Sequence, residues 1–142
     1  MQIAARELYS VIRDVYHQLQ NNLETELEQF NISTVQFGVM QILSDTEKAS
    51  MSDLQQKIGC APSNVTTMIQ RMKRDGFVVT TKNPSDQRET LVYLTEKGQE
   101  IKEKVAIQYQ AFLQENFSYF DEDSFISLLE ILNGYKHFLS GK

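Results

Sequence analysis

Two strand-like runs stand next to each other in a chain whose remaining segments have helical periodicity. The runs are GFVVTTK and ETLVYLT, and the second alternates as a strand does, with Leu91 and Tyr93 on the face opposite Val92. Residues 83–86, with the sequence NPSD, favour a turn between the two runs. The sequence therefore predicts a mainly α-helical protein that contains one β-hairpin.

Long helices are predicted on both sides of this hairpin, because apolar residues recur there at spacings of three and four. The first helix covers residues 5–30, and its apolar stripe is longer than one small core needs, so part of it is expected to face another subunit. After the hairpin, Thr95 is expected to cap a helix that covers about 96–117, and Asp121 is expected to cap a final helix.

Three shorter helices are predicted between the first long helix and the hairpin. Capping boxes mark the start of two of them, formed by Ser33 with Gln36 and by Ser52 with Gln55. The third lies within CAPSNVTTMIQRMKRDGF and ends at Gly76. Two short helices joined by a glycine-containing turn predict a helix-turn-helix, and a β-hairpin directly after them makes this unit a winged helix.

Positive charge is concentrated in one part of an acidic chain. The 142 residues carry a net charge of −5, yet residues 57–88 alone have a net charge of +4 and the rest of the chain −9. A local basic segment attracts phosphate groups whatever the total charge of the protein. The charged residues of the segment are Lys57, Arg71, Lys73, Arg74, Lys82 and Arg88, against Asp75 and Asp86.

The outer face of the third short helix combines small polar side chains with cations, which predicts a helix that enters the major groove of DNA. Short hydroxyl and amide side chains allow close approach to base edges, whereas arginine and lysine contact the phosphates. The alternative is an ordinary solvated polar face. The candidate DNA-binding residues on this helix are Ser63, Asn64, Thr66, Thr67, Gln70, Arg71, Lys73 and Arg74.

The hairpin extends the basic surface beyond the helix. Lys82 and Arg88 flank the turn, and an arginine at such a tip is suited to a narrow minor groove, where the negative potential is strongest. Asp86 is close enough along the chain to pair with Arg88 and is expected to orient it. Lys82, Asp86 and Arg88 are therefore further candidate DNA-binding residues, and an ordinary charged turn is the alternative.

The segment from the hairpin tip to the next helix resembles the MarR family of bacterial winged-helix regulators. Asp86, Arg88, Thr95 and Gly98 match the family pattern D-x-R-x-x-x-x-x-x-T-x-x-G, and SDLQQKIGCAPSNVTTMIQRMKRDGFV resembles the paired helices that precede the wing. The sequence also departs from the family, since Thr67 and Gln87 stand where members often carry arginine. The resemblance covers essentially the whole chain as a single domain, residues 1–142.

This resemblance implies a function and an assembly. It implies a winged-helix DNA-binding lobe over residues 33–95 and a helical dimerisation region formed by residues 1–30 and 96–142. The dimer would bind a pseudo-palindromic operator in double-stranded DNA as a transcriptional repressor. A small phenolic or other aromatic ligand, or thiol oxidation, would release it.

Residues for such a switch are harder to identify. Seven residues are candidates for a ligand pocket, although aromatic residues at helical spacing more often belong to a core or a dimer interface. They are Tyr9, Tyr16, His17, Phe37, Met40, Tyr109 and Phe112. The single cysteine, Cys60, precedes the third short helix and is a candidate redox residue, with a small buried apolar residue as the alternative.

Other classes of function receive less support. A winged-helix module for protein–protein interaction without DNA binding is the main alternative, but such a module has no need of the basic segment. No nucleophile–base pair, phosphate loop or metal-ligand spacing indicates an enzyme, a metal site or a cofactor. No apolar run approaches the roughly 20 residues of a membrane span, and the lone cysteine favours a cytoplasmic location.

Overall fold

The structure, a computed structural model, describes residues 2–46, 48–58 and 62–142. Within these ranges the predicted fold class is confirmed, because helices dominate and a hairpin follows the paired short helices. In chain order the elements are α1 (Gln2–Leu27) with a 3-10 turn (Glu28–Phe30), α2 (Thr34–Thr46), β1 (Lys48–Ser50), α3 (Met51–Ile58), α4 (Pro62–Arg74), β2 (Val78–Asn83), β3 (Asp86–Leu94), α5 (Glu96–Asn116) and α6 (Glu122–Ser140).

The strands form an antiparallel sheet in the order β1-β3-β2. Strand β2 pairs with β3 from Val78 opposite Leu94 to Asn83 opposite Asp86, so only two residues form the turn between them. Strand β1 pairs with the other edge of β3, with Ser50 opposite Leu91. The hairpin was predicted, but β1 was missed because three residues are too few to display a period.

The core of the larger compact unit, Met1–Tyr109, packs the winged-helix elements against one another. Phe37 and Met40 of α2 and Leu54 of α3 are almost completely buried in this core. Val65 and Met72 of α4 have no exposed surface, which fixes the side of α4 that faces the protein. The opposite side of α4 is therefore presented to solvent.

Helix caps explain where several elements begin. The predicted capping box of α2 is confirmed, since the Gln36 N–H donates to Ser33 Oγ at 3.1 Å and the Ser33 N–H donates to Gln36 Oε1 at 2.9 Å. Asp121 caps α6 as predicted, because its Oδ1 accepts the Ser124 N–H at 2.8 Å. Both contacts satisfy backbone donors that the first helical turn leaves without partners.

The cap predicted for α3 was wrong. The box is not Ser52 with Gln55 but lies two residues earlier, where the Asp53 N–H donates to Ser50 Oγ at 3.0 Å and the Ser50 N–H donates to Asp53 Oδ2 at 3.4 Å. Ser50 ends β1, so the pairing of that strand with β3 determines where α3 starts. Gly59, the predicted end of α3, lies outside the described residues.

Two helices leave large apolar side chains exposed. In the larger unit, the first half of α1 exposes Leu8, Tyr9, Ile12, Val15 and Tyr16. The smaller unit, Gln110–Lys142, contains α6, in which the structure describes every residue and shows none buried. Leu128 is partly buried, whereas eight other large apolar residues of α6 are at least 42% exposed, namely Phe125, Ile126, Leu129, Ile131, Leu132, Tyr135, Phe138 and Leu139. Among the described residues, no helix combines the length and apolar character required to cross a bilayer.

Candidate nucleic-acid interface

The outer face of α4 carries the polar residues that the sequence predicted. Because Val65, Ile69 and Met72 point into the core, the side chains on the opposite side of the helix point into solvent. Thr66 is half-buried near the edge of that face. The exposed members are Ser63, Asn64, Thr67, Gln70, Arg71, Lys73 and Arg74.

Position around α4 divides these residues into two groups. Ser63, Thr67, Gln70 and Arg74 are spaced by three or four residues and lie opposite the buried stripe. The Thr67 hydroxyl donates to the Ser63 carbonyl at 3.0 Å, which holds the side chain close to the helix. Lys73 lies nearer the edge of the outer face. Within the central group, Ser63, Thr67 and Gln70 are therefore best placed to meet base edges, whereas the cations Arg74 and Lys73 are suited to phosphates.

The hairpin places Arg88 in an oriented and exposed position. Asp86 Oδ1 accepts hydrogen bonds from the Arg88 backbone N–H and from Arg88 Nε, both at 3.1 Å. The Arg88 side chain is 92% exposed, so the remaining guanidinium N–H groups are accessible to solvent. Lys82 lies on the neighbouring strand, where its Nζ donates to Thr90 Oγ1 at 3.3 Å. The predicted pairing of Asp86 with Arg88 is thus present.

The same contact determines the ionisation of Asp86. The hydrogen bond from the Arg88 side chain, and after it the one from the Arg88 backbone, lower the pKa of the Asp86 carboxyl from its ordinary value of 3.8. Asp86 therefore stays ionised throughout the neutral range. In this range the ionised Asp86 carboxylate holds the Arg88 guanidinium by the hydrogen bond from Nε.

Asn83 stabilises the hairpin through two side-chain hydrogen bonds, whereas the sequence predicted it only as a turn residue. Its Oδ1 accepts the Ser85 N–H at 2.9 Å, and its Nδ2 donates to Glu89 Oε2 at 3.2 Å. One side chain therefore closes the turn and ties the two strands together. An asparagine at the start of a turn favours the first contact, because its side chain can bond the backbone two residues on.

The end of α4 is joined to the start of α5 through Thr95. The Thr95 hydroxyl donates to the Gly76 carbonyl at 2.5 Å and accepts the Gly98 N–H at 3.0 Å, so it caps α5 as predicted. The Thr95 N–H also donates to the Phe77 carbonyl at 3.0 Å. Gly76 has a φ of 84°, in the left-handed region that glycine adopts without strain. These contacts explain why threonine and glycine are needed there.

A cavity of about 390 Å³ lies between α1, α2, α3 and α5 within the larger unit. Phe37 and Tyr109, two of the predicted pocket residues, line it with their rings edge to face at 5.2 Å. The other lining residues were not predicted, because their spacing indicates packing rather than binding. They are Gln20, Leu23, Thr34, Val35, Gly38, Gln41, Ile42, Asp45, Lys57 and Ile58.

Of the seven predicted pocket residues, Phe37 and Tyr109 are the two that line this cavity. Tyr9, Tyr16 and His17 lie on the exposed part of α1 and do not line the cavity, while Met40 is fully buried in the core. Phe112 is buried and belongs to the smaller unit. Cys60, the predicted redox residue, lies outside the described residues. Across the described parts of the chain, no three His, Cys, Asp or Glu side chains are grouped so as to hold a metal ion.

Known proteins share both the fold and the sequence pattern. The sequence profile of the MarR family matches residues 32–90. The crystal structure of a MarR-like transcription regulator from Bacillus cereus ATCC 10987 is similar to this chain with a TM-score of 0.90 and 56% identity, covering 96% of this chain and 99% of that one. The HTH-type transcriptional regulator YhbI of Bacillus subtilis is 29% identical over 103 residues, which are 72% of this chain and 67% of that protein.

A structure with bound DNA is also similar. A cysteine-to-serine mutant of MarR from Escherichia coli, solved in complex with operator DNA, has a TM-score of 0.85 and 25% identity over 91% of this chain and 93% of that one. The predicted family and fold class are thereby confirmed. The chain belongs to the MarR family of winged-helix DNA-binding transcription regulators.

Proposed function

We propose that this protein is a homodimeric transcriptional repressor that binds a pseudo-palindromic operator through α4 and the β2–β3 wing and leaves it when a small ligand binds. The observation that carries the proposal is the solvent-facing polar and cationic side of α4, followed directly by an exposed arginine that Asp86 orients. A related regulator with the same fold has been solved with operator DNA. An interaction module would not require this concentration of cations.

In the proposed complex, α4 lies in the major groove. Ser63, Thr67 and Gln70 face the base edges, and Arg71 and Arg74 contact the phosphates on either side of the groove. Arg74 is only loosely held in the protein, with its Nε 3.5 Å from Asp75 Oδ1, so a phosphate can replace that carboxylate. Gln87, exposed beside Arg88, offers no charge, so the wing contributes less to phosphate attraction than an arginine pair would.

Arg88 is proposed to enter the minor groove beside the major groove that α4 occupies. The arrangement leaves the Nε on Asp86 and directs the remaining guanidinium donors outward, toward the electronegative floor of the groove. Since the bound carboxylate keeps one side of the guanidinium occupied, the side chain loses little conformational freedom when DNA binds. Lys82 adds a second cation on the neighbouring strand.

The proposed dimer covers the exposed apolar residues of α1 and α6. Exposed apolar patches of this extent on a helix indicate a protein–protein contact. In the smaller unit, α6 and the end of α5 also form an open apolar groove of about 520 Å³, lined by residues that include Phe117, Phe125 and Leu129. Two copies bring two α4 helices to one DNA duplex, and for this reason the proposed operator is a pseudo-palindrome.

The ligand is proposed to bind in the cavity lined by Phe37 and Tyr109. The cavity suits one aromatic ring by volume, and Lys57 at its wall can pair with an anionic group such as a phenolate. Because its walls belong to α1 and α5 as well as to α2 and α3, an occupant can change how the winged helix is held. Oxidation of Cys60 is the alternative trigger. We also propose that the protein acts in the cytoplasm, where it regulates transcription, and that it has no enzymatic activity.

The deciding experiment is fluorescence anisotropy of the purified protein with DNA from upstream of its own reading frame, with scrambled DNA of equal length as the control. We expect tight binding of one duplex per two chains, weaker binding of the scrambled DNA, and a dimer by light scattering. Addition of a phenolic acid series should release the DNA for at least one member. Equal weak binding of both DNAs would overturn the proposed function and favour the interaction module.

Whether the regulator represses or activates requires a transcription assay. A dimer seated across the operator competes with RNA polymerase for the same DNA, so added protein should lower transcription from a promoter that overlaps the site. The same promoter with the operator scrambled is the control. Increased transcription would show an activator and overturn the repressor assignment while leaving DNA binding intact.

A further inference from the structure

Lys97 of α5 reaches the end of α4 and holds it. Its Nζ donates to the Asp75 carbonyl at 2.8 Å, a contact between residues that are 22 positions apart. Thr95 binds the next two carbonyls, those of Gly76 and Phe77, so the start of α5 binds three consecutive carbonyls in the turn directly after α4. The last carbonyls of α4 itself are bound by the N–H groups of the same turn, since Asp75, Phe77 and Gly76 donate to the Arg71, Met72 and Lys73 carbonyls. Lys97 and Thr95 therefore fasten the turn that closes α4 to the start of α5.

Two further contacts hold the Lys97 side chain across the same turn. Its Nζ lies 5.1 Å from the centroid of the Phe77 ring, within the range of a cation–π interaction. Its Cδ would lie 3.6 Å from a Cβ at Gly76, so the aliphatic part packs over that glycine. A lysine held at its end and along its stem has one preferred position rather than many.

The place of Lys97 in its own helix is unfavourable. It occupies the first turn of α5, where the positive end of the helix dipole disfavours a cation. At the end of α4, in contrast, the dipole is negative and favours a cation. The local electrostatics therefore indicate that the charge of Lys97 stabilises the end of α4 rather than the start of α5.

We propose that Lys97 is a positioning residue for operator binding. It fixes the turn after α4 relative to α5 and the root of the wing, and thereby sets the angle at which Thr67 and Gln70 of α4 meet the base edges, without touching the DNA itself. The inference rests on the proposed function, since it assumes that α4 reads DNA. It predicts that loss of Lys97 weakens operator binding through the geometry of α4 and not through the loss of a phosphate contact.

The test compares Lys97→Met with Lys104→Met, which removes the same charge from an exposed position of the same helix. Operator affinity is measured by anisotropy at several salt concentrations. We expect Lys97→Met to weaken binding on the order of fivefold to tenfold and Lys104→Met to change it less than about twofold. Lys97→Arg, which keeps a cationic donor, should restore most of the affinity.

The salt dependence separates positioning from direct contact. Loss of one phosphate contact lowers the slope of log affinity against log salt by about 0.9, whereas loss of a positioning residue leaves the slope unchanged. A slope reduced by that amount in Lys97→Met would make Lys97 a phosphate ligand and overturn the inference. Equal affinities of Lys97→Met and Lys104→Met would overturn it as well.

Hydrogen exchange tests, in the absence of DNA, whether Lys97 stabilises the turn that ends α4. The Gly76 and Phe77 N–H groups, which donate to Lys73 and Met72 carbonyls at 3.1 and 2.9 Å, should exchange faster in Lys97→Met than in Lys104→Met. If Lys97→Met does not fold by circular dichroism, Lys97→Gln replaces it. Failure of the wild type to bind DNA would overturn the proposed function, whereas unchanged exchange would overturn the role of Lys97 alone.

Discussion

Asp86 Oδ1 accepts two hydrogen bonds from Arg88, one from the backbone N–H and one from Nε, each at 3.1 Å. Both residues lie on β3 beyond the stretch that β1 supports. Exposed ion pairs are screened by water and salt and add little stability, so the consequence of this pair is directional. It fixes the orientation of the Arg88 guanidinium before DNA binds.

Replacement of Arg88 by alanine should weaken operator binding without unfolding the protein. The side chain is almost wholly exposed and supports no core contact. An arginine that contacts bases directly contributes on the order of 1–3 kcal/mol to binding, and we expect a loss of similar size here. Gel-shift titration and circular dichroism on the same sample measure the two effects. Gln87→Ala, at the adjacent exposed position, is the control and should bind nearly as the wild type does. Unchanged affinity of Arg88→Ala would refute the role of the wing.

The pKa of the Asp86 carboxyl should show directly whether Asp86 pairs with Arg88 in solution. NMR should find its carboxyl pKa below 3.8 in the wild type and nearer 3.8 in Arg88→Ala, because the arginine is the main cause of the lowered pKa. A lowered folded-state pKa means that the pair stabilises the wing above pH 3.8 and that this effect is lost as pH falls through the lowered value. Operator affinity should therefore not change through Asp86 between about pH 6 and 8. A wild-type pKa at or above 3.8 would contradict the geometry.

Substitutions on α4 should separate base reading from phosphate contact. Thr67→Ala or Gln70→Ala, on the central line of the outer face, should change the consensus selected from random DNA. Lys73→Ala, nearer the edge of the face, should weaken all sequences by a similar factor and leave the consensus intact. Identical consensus sites from all three variants would reject this choice of base readers.

Two serines two residues apart should differ in their effect on stability. Ser50→Ala removes the cap of α3 and should cost about 1 kcal/mol in the free energy of unfolding. Ser52→Ala is the matched control, since Ser52 is exposed within the first turn and should change stability by less than about 0.5 kcal/mol. Urea denaturation measures both. Equal effects would show that the helix does not start at Met51.

Gly98→Ala should be strongly destabilising although alanine favours helices. A Cβ at this position would lie 2.2 Å from the Phe77 carbonyl oxygen, so the backbone of α5 or of the α4–β2 connection must move. We expect a loss of about 2 kcal/mol or more, measured by thermal or urea unfolding. Gln99→Ala, one position further along α5, is the control and should be nearly neutral. A stabilised Gly98→Ala protein would contradict the close approach.

Long stripes and explicit cap residues made much of this fold predictable. The stripe of α4 predicted its inward side, and Ser33, Thr95 and Asp121 were correctly predicted to begin their helices. The start of α3 was not predictable in this way, because Ser50 and Ser52 are equally good caps by residue type. Only the pairing of β1 with β3 selects Ser50, and that pairing joins residues about forty positions apart.

The candidate site shows the same limit. The outer face of α4 and the Asp86–Arg88 pair depend on neighbours within four residues, and local patterns report such neighbours. The hydrogen bond from Lys97 to the Asp75 carbonyl joins residues 22 positions apart, and its acceptor is a backbone atom in the turn after α4, so no local pattern reports it. Tyr9 and Tyr16 were predicted as pocket residues because they lie on a helix expected to meet the DNA-binding lobe. The cavity that the structure shows is lined by residues of four helices and does not include them.

The order of the sheet has a consequence for how wings of this kind can vary. Leu91 to Tyr93 are held on both edges by β1 and β2, whereas the part of β3 before them pairs with β2 alone. Residues added to or removed from the tip around Pro84 and Ser85 disturb neither the core nor α4. The tip can therefore change length and charge over evolution while its root stays constant, which allows the minor-groove contact to be remodelled separately from the reading of the major groove.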